Sequence, residues 1–319
     1  MRVNLRGWLT PAPPAIAIEI AARRVTVVEV APGGGAVTAY AGEGLPEGAI
    51  VPALTGLNVG TPDVVREAIR RALERAGLTA ARRAALIVPD SVARVSLLTF
   101  DQLPARAQDR DQLVTWQLRK SAPFPLETAA VSYVPAGSDG GRPTVAAVMA
   151  RRDVLAEYEQ LVAGLGIHAG LVDLASFNVI NAVLAAAPAD ERDWLVVHLA
   201  AEATTLAILR GTSLMFYRHR LHADDEPLGS LVHQTAMYHE DRLGGGGFGR
   251  VWLSGAGARG EDARRQIGER LDAPVDIVDV RPATTVEGLA APSADVLDAL
   301  AAPVGVLVRE HRAIPARPA

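Results

Sequence analysis

The chain has 319 residues, 49% of them hydrophobic, and a formal net charge of −4. That length suits about two domains with a large buried core, and the charge offers no strongly basic surface for nucleic acid. There are no cysteines, which excludes disulfides, thiolate zinc sites and a cysteine nucleophile, and Lys120 is the single lysine, so a cleft lysine for phosphate is scarcely available.

Residues 15–30 alternate as a strand pair turning near Ala22 and Arg23, and glycines 33–35 make the next turn. Thr61-Pro62-Asp63 predicts a helix start, a capping hydroxyl with proline at the first helical position. Val65, Ile69, Ala72, Leu73 and Ala76 share its apolar face, and Gly77 closes it. Ala84 to Val88 and Val92 to Thr99 read as strands. Asp109 to Lys120 reads as a helix with acids first and bases last, matching its dipole, and Ala122-Pro123-Phe124-Pro125 stops it. Short strands are expected near 130–134 and 144–149, then helices at about 153–165 and 173–186.

A second half opens with strands at Trp194 to Leu199 and Thr204 to Leu209, with Gly211 at the next turn. A helix from Pro227 to Leu243 ends in Gly244 to Gly247. Val251 to Leu253 is a strand, Glu261 to Leu271 a helix, Val275 to Val278 a strand, and a last helix runs from about Ala294 to Arg309. The apolar stretches at 171–189 and 194–209 are broken by Asp173, Asn178, His198 and Glu202, short of the roughly 18 uninterrupted residues of a membrane span. Arg2 and Arg6 precede Pro11, Pro13, Pro14 and Glu19, which spoil a signal-peptide core, so a cytoplasmic protein is expected.

The two halves echo one another. Ala17 to Ala22 with the strand Val25 to Val30 matches Val196 to Ala201 with Thr204 to Leu209: an apolar strand, a polar residue, two small residues and a second apolar strand. Duplicated hairpins facing one cleft are the architecture of actin-like ATPases. The fold class expected is therefore α/β, actin-like, with duplicated ribonuclease-H-like lobes around a cleft.

Several ordered stretches resemble the PilM family of type IV pilus assembly proteins. Ile18 to Ala22 followed by Val25 to Val30 resembles its first phosphate hairpin, and Leu45 to Val51 its proline-glutamate-glycine turn. Val88-Pro89-Asp90-Ser91 and Leu103-Pro104 fall at its strand ends. The sharpest likeness is Trp116 to Glu127, a tryptophan-bearing helix running into Pro-Phe-Pro. Ser230-Leu231 with Tyr238, Arg250 to Gly257 and Val304 to Arg309 resemble its second-half helix, adenosine turn and closing helix. The resemblance implies a first lobe at 1–89, an inserted small subdomain at 90–150, the rest of the first lobe at 151–190 and a second lobe at 191–319. It implies a scaffold under the inner membrane that binds the cytoplasmic N-terminus of a PilN-like membrane protein, with pilus motor ATPases and further copies of itself as other partners. Val92, Arg94, Val95, Leu97, Trp116, Arg119 and Phe124 are the groove walls this implies. Two rivals are a nucleotide-switched ATPase and the cytoplasmic component of a type II secretion platform. The latter normally continues into a membrane helix, where this sequence has Pro315 and Pro318.

ATP is the ligand the family's cleft implies, held by backbone N–H groups of two glycine hairpins. The corresponding positions here are Glu19, Ala21, Thr204, Thr205, Gly255, Ala256 and Gly257. Alanine at 21 and 200 stands where glycine is expected, Thr26 where lysine is, and His198 where aspartate is. Asp224, Asp225 and Glu226 replace a glycine pair and would oppose a triphosphate. The expectation is a degenerate site without hydrolysis. Gly244 to Gly247 follows a helix and precedes a strand, the reverse of a phosphate loop. His219, His222 and the neighbouring acids read as a solvated loop rather than a metal site, and Ser254 lacks the glycine of a nucleophile elbow.

Overall fold

The computed structural model describes residues 12–186, 192–222, 226–286 and 293–313. Strands β1 (Ile16–Ile20), β2 (Arg24–Val30) and β3 (Ala36–Gly44) form an antiparallel meander. Helix α1 (Pro62–Arg75) then crosses to β4 (Arg83–Val88), which returns parallel to β1. Pro62 opens α1 as expected, but the Thr61 hydroxyl makes no capping bond. Proline alone defines that start, since its missing N–H is no loss there.

The chain next leaves this sheet. Strand β5 (Ala93–Thr99), helix α2 (Ala107–Arg119) and strands β6 (Ala129–Asp139) and β7 (Arg142–Arg151) build a three-stranded sheet of order β5-β7-β6. It has a core of its own around Val114, Leu118, Phe124 and Met149. Helix α3 (Arg152–Ala163), strand β8 (His168–Leu174) and helix α4 (Ala175–Ala186) return to the first sheet, where β8 pairs parallel with β4.

The second half repeats the meander as β9 (Trp194–Leu199), β10 (Ala203–Arg210) and β11 (Ser213–Leu221). Helix α5 (Leu228–Leu243) leads to β12 (Arg250–Ser254), parallel to β9, and helix α6 (Gly260–Gly268) to β13 (Val275–Ile277). The first sheet contains the order β3-β2-β1-β4-β8 and the second is β11-β10-β9-β12-β13. The echo in the sequence is thus a duplication of whole topology. Strand β14 (Thr285–Val286) then pairs with β3, and helix α7 (Ala294–Ala313) packs across both halves.

Two elements differ from expectation. Strand β8 was not anticipated, and the helix expected from residue 173 begins at Ala175. His168, Gly170 and Asp173 interrupt the apolar alternation of β8, and the Arg83 side chain lies across Gly170, its Nε 2.4 Å from where a methyl would stand. Strands β6 and β7 are about twice their expected length, since the apolar pattern marks only the stretch over the small core. Helices α4 and α7 cross with backbones in contact, a methyl on Gly305 falling 1.8 Å from the Asn178 carbonyl oxygen.

Candidate functional site

The tips of the β1–β2 and β9–β10 hairpins face each other across a cavity of about 170 Å³. Glu19, Ala21 and Arg24 come from one side, His198, Ala200 and Glu202 from the other, with Asp90 and Gly255 between. Each hairpin closes on itself. The Ala21 N–H donates to the Arg24 carbonyl at 2.9 Å, and the Ala200 N–H to the Ala203 carbonyl at the same distance. Glu19 is buried and accepts from Arg24 at 3.5 Å, while Arg23 turns outward to Glu47 at 3.0 Å. The Thr26 hydroxyl and His198 Nδ1 are buried without a hydrogen-bond partner among the described residues.

The Gly255-Ala256-Gly257 turn is closed by the protein itself. Asp298, near the start of α7, accepts from the Gly255 N–H at 2.7 Å and the Gly257 N–H at 3.2 Å. Gly255 has φ +75°, and a methyl there would lie 2.3 Å from the Leu199 carbonyl oxygen. Close approach to the second hairpin therefore accounts for this glycine without any ligand. Ala256 is buried in the second-lobe core.

Thr204 and Thr205 do not reach the cavity. Thr205 donates to Asp90 Oδ2 at 3.0 Å and lies 2.9 Å from His219 Nδ1, while Thr204 lies 2.9 Å from His222 Nε2 beside a separate pocket. Asp90 Oδ1 accepts from the Ser176 N–H at 3.1 Å and its hydroxyl at 2.9 Å. Ser91 Oγ lies 3.1 Å from both Glu202 Oε1 and His219 Nε2. Asp90, Ser91 and Ser176 belong to the first half, and Glu202, Thr205 and His219 to the second, so this network latches the halves together. His219 sits on β11 with its ring in the network, which corrects the expectation of a solvated loop for that residue; His222 is exposed. Among the described residues no group of three or more His, Asp or Glu side chains could hold a metal ion.

The latch needs a definite proton count. If Thr205 donates to Asp90, His219 Nδ1–H donates to Thr205, leaving Nε2 to face Ser91. With Glu202 protonated, Glu202 donates to Ser91 and Ser91 to a neutral His219; with Glu202 ionised, Ser91 donates to it and His219 must be an imidazolium. Burial favours the neutral pair: it pushes the Glu202 carboxyl up, and it holds the His219 imidazole below its usual range against the pull of Asp90. Glu226 accepts from the Gln234 amide at 2.7 Å away from the cavity, and Asp224 and Asp225 lie outside the described residues. The carboxylates beside the cavity are instead Glu19, Asp90 and Glu202.

A larger concavity, about 650 Å³, lies between the first lobe and the small subdomain. Its walls are β6 (Val131 to Val134), the end of β8 (Leu171 to Leu174), Leu155 and Phe177, with Asp173 and Arg309 at the polar side. Among the described residues both β6 and β8 end their sheets, so two open strand edges border the groove. None of the anticipated wall residues lines it. Val92 is fully buried under the first sheet with Val95 packed beside it, and Phe124 is buried in the small-subdomain core. Leu97 packs into the core shared by both lobes, Arg94 and Arg119 are exposed, and Trp116 is 56% exposed on α2 with Lys120 over its ring. An apolar alternation cannot say which side of a strand faces a core and which an opening.

Two sheets of one order, latched around a cleft between their hairpin tips, define an actin-like protein. The family model described as type IV pilus assembly protein PilM matches residues 17–242. The chain belongs to the PilM family. Among solved structures it is similar to a PilM–PilN type IV pilus biogenesis complex, at a TM-score of 0.77 and 18% identity over 94% of this chain and 99% of that one. It is also similar to an actin-like ATPase-fold protein from Bacteroides thetaiotaomicron, at 0.50 and 8% over 89% and 96%. No curated protein sequence matches it. Among the described residues no helix is long and apolar enough to cross a membrane.

Proposed function

We propose that this protein is a non-enzymatic scaffold of a type IV pilus assembly platform that captures an extended N-terminal segment of a PilN-like inner-membrane protein and is held at the membrane by it. The observation that carries this reading is the groove of about 650 Å³ bordered by the open edges of β6 and β8. An extended peptide gains backbone hydrogen bonds from such an edge and side-chain pockets from the apolar walls. Membership of a pilus assembly family and likeness to a PilM–PilN complex support the choice of partner.

The cleft supports the non-enzymatic half of the reading. Its 170 Å³ falls below the roughly 300–1,000 Å³ of small-molecule pockets. The N–H groups of Ala21, Ala200, Gly255 and Gly257 are already committed within the protein. Calorimetric titration with magnesium-ATP should give no heat of binding, and micromolar affinity would overturn this half. Co-purification with a PilN-like membrane protein should be lost when its first dozen or so residues are removed; a complex that survives that truncation would assign the contact to another surface.

A further inference from the structure

We propose that the outward face of helix α2 is a two-fold interface with a second copy of this chain, the two helices packing antiparallel with Trp116 near the crossing point.

The fold leaves this face unused. Val114 and Leu118 are buried in the core of the small subdomain, and Trp116, between them in sequence, points the opposite way and is 56% exposed. Asp109, Gln112 and Lys120 share that outward side and are exposed, with half-buried Leu113 on its flank. Positions 109, 113, 116 and 120 recur at four, three and four residues, the spacing of a seam between two packed helices. Tryptophan is the residue type that most often dominates the centre of such an interface. None of these residues lines the groove, so the two surfaces are separate.

Charge selects the occupant and the direction. Asp109 lies in the first turn of α2, and Lys120 follows its last turn with the ammonium over the Trp116 ring. Neither has an ion-pair partner among the described residues. A parallel pair of these helices would set like charges together. An antiparallel pair crossing midway between Val114 and Thr115 sets each Asp109 opposite Lys120 of the second copy. It also sets each Trp116 against Leu113 of the second copy, because both pairs are symmetric about that midpoint. The eleven residues from Asp109 to Lys120 span about 16 Å on each helix, so both ends close in one register. One patch serves both copies, which makes the contact isologous and closed. A single helix pair falls short of the roughly 1,200 Å² of stable complexes, so the dimer is weak, and its exposed ion pairs make it salt-sensitive.

The test is analytical ultracentrifugation of the full chain over a concentration series, with Asp109→Lys, Lys120→Glu and Trp116→Ala variants. All three positions are exposed, so the core of the small subdomain is untouched, and circular dichroism checks the fold of each variant. The parent should show a reversible monomer–dimer equilibrium. Trp116→Ala should weaken it by at least about thirty-fold, and either charge variant by at least about ten-fold. Mixing the two charge variants should restore association, because opposite charges then meet at both ends of the helix pair; a folding defect could not produce that result. A parent that stays monomeric throughout would overturn the proposal and give the face to a different protein. So would a dimer that survives Trp116→Ala, or a mixture no more associated than its two components.

Discussion

Asp298 offers the sharpest handle on the cleft. It is buried, and its two oxygens serve the N–H groups of Gly255 and Gly257 and thereby tie α7 to the turn after β12. Asp298→Ala leaves both N–H groups without their acceptor. A stranded buried donor costs about 1–3 kcal/mol, so two give about 2–6 kcal/mol. Relief from burying a carboxylate and the better helix propensity of alanine return part of this, bringing the net loss to about 2–3 kcal/mol. For a chain of this size the melting midpoint falls by about 1.5 °C per kcal/mol, or about 3–5 °C in all. Asp298→Asn keeps one acceptor for Gly255 but turns an amide toward the Gly257 N–H, so its midpoint should lie between the parent and the alanine variant. Differential scanning calorimetry reads the midpoints, and hydrogen exchange at Gly255 and Gly257 localises the effect. An alanine variant melting within about 1 °C of the parent would refute the reasoning, because it would mean the turn does not depend on α7.

Gly305→Ala should cost more than the roughly 1 kcal/mol that alanine gains in helix propensity, since its methyl would sit 1.8 Å from the Asn178 carbonyl oxygen; a midpoint lowered by at least about 2 °C is expected in calorimetry. Asp193, which accepts both Arg210 nitrogens at 2.8 Å and the buried His239 at 2.7 Å, should lose about 3–5 kcal/mol on conversion to alanine, measured by urea titration. Its carboxyl is held below the usual range chiefly by Arg210, so its contribution is present above the ordinary carboxylate pKa and fades as pH falls through the lowered value. The latch has two opposed limbs. Glu202, raised by burial, favours the fold below its ordinary pKa and loses that as pH rises through the raised value. His219, lowered by burial, favours the fold above about 6.5 and loses that as pH falls below it. Glu202→Gln should therefore raise the midpoint at pH 8, and His219→Gln should flatten the fall between pH 6.5 and 5, both read by calorimetry across pH.

The repeated hairpins were legible because each is a fully buried strand pair whose apolar run is uninterrupted, and burial of that kind leaves little freedom in the pattern. The alanines at 21 and 200, standing where glycine is expected, were legible as residue types at the two hairpin tips. What closes the cleft was not. Asp298 is 43 residues from Gly255, in a helix whose only visible signal was an apolar stripe, and a single acid one turn into a helix carries no signal of its own. The latch was hidden for the same reason: Asp90, Thr205 and His219 are polar residues on strands or strand ends, and only the packing of two sheets brings them to one point. The strand β8 that borders the groove was not legible, because it carries Gly170 and Asp173 and does not read as a strand.

Helix α7 joins the two features. Asp298 near its start caps the cleft turn, and Arg309 toward its end pairs with Asp173 at the groove. Eleven residues separate them, about 16 Å along the helix axis. In an actin-like frame such a helix could carry strain from cleft to groove, but Gly305 stands between the two ends and is pressed against the α4 backbone. A rod pinned at that point transmits little, so the ends should act independently. A double-mutant cycle tests this: Asp298→Ala and Arg309→Ala, singly and together, followed by urea denaturation. At this separation, with no shared partner, the two losses should add to within about 0.5 kcal/mol. Arg309→Ala alone should be mild, about 1 kcal/mol, since its partner Asp173 is itself partly solvated. An interaction energy above about 1 kcal/mol would show that α7 moves as a lever, and the closed cleft would then have a route to the groove.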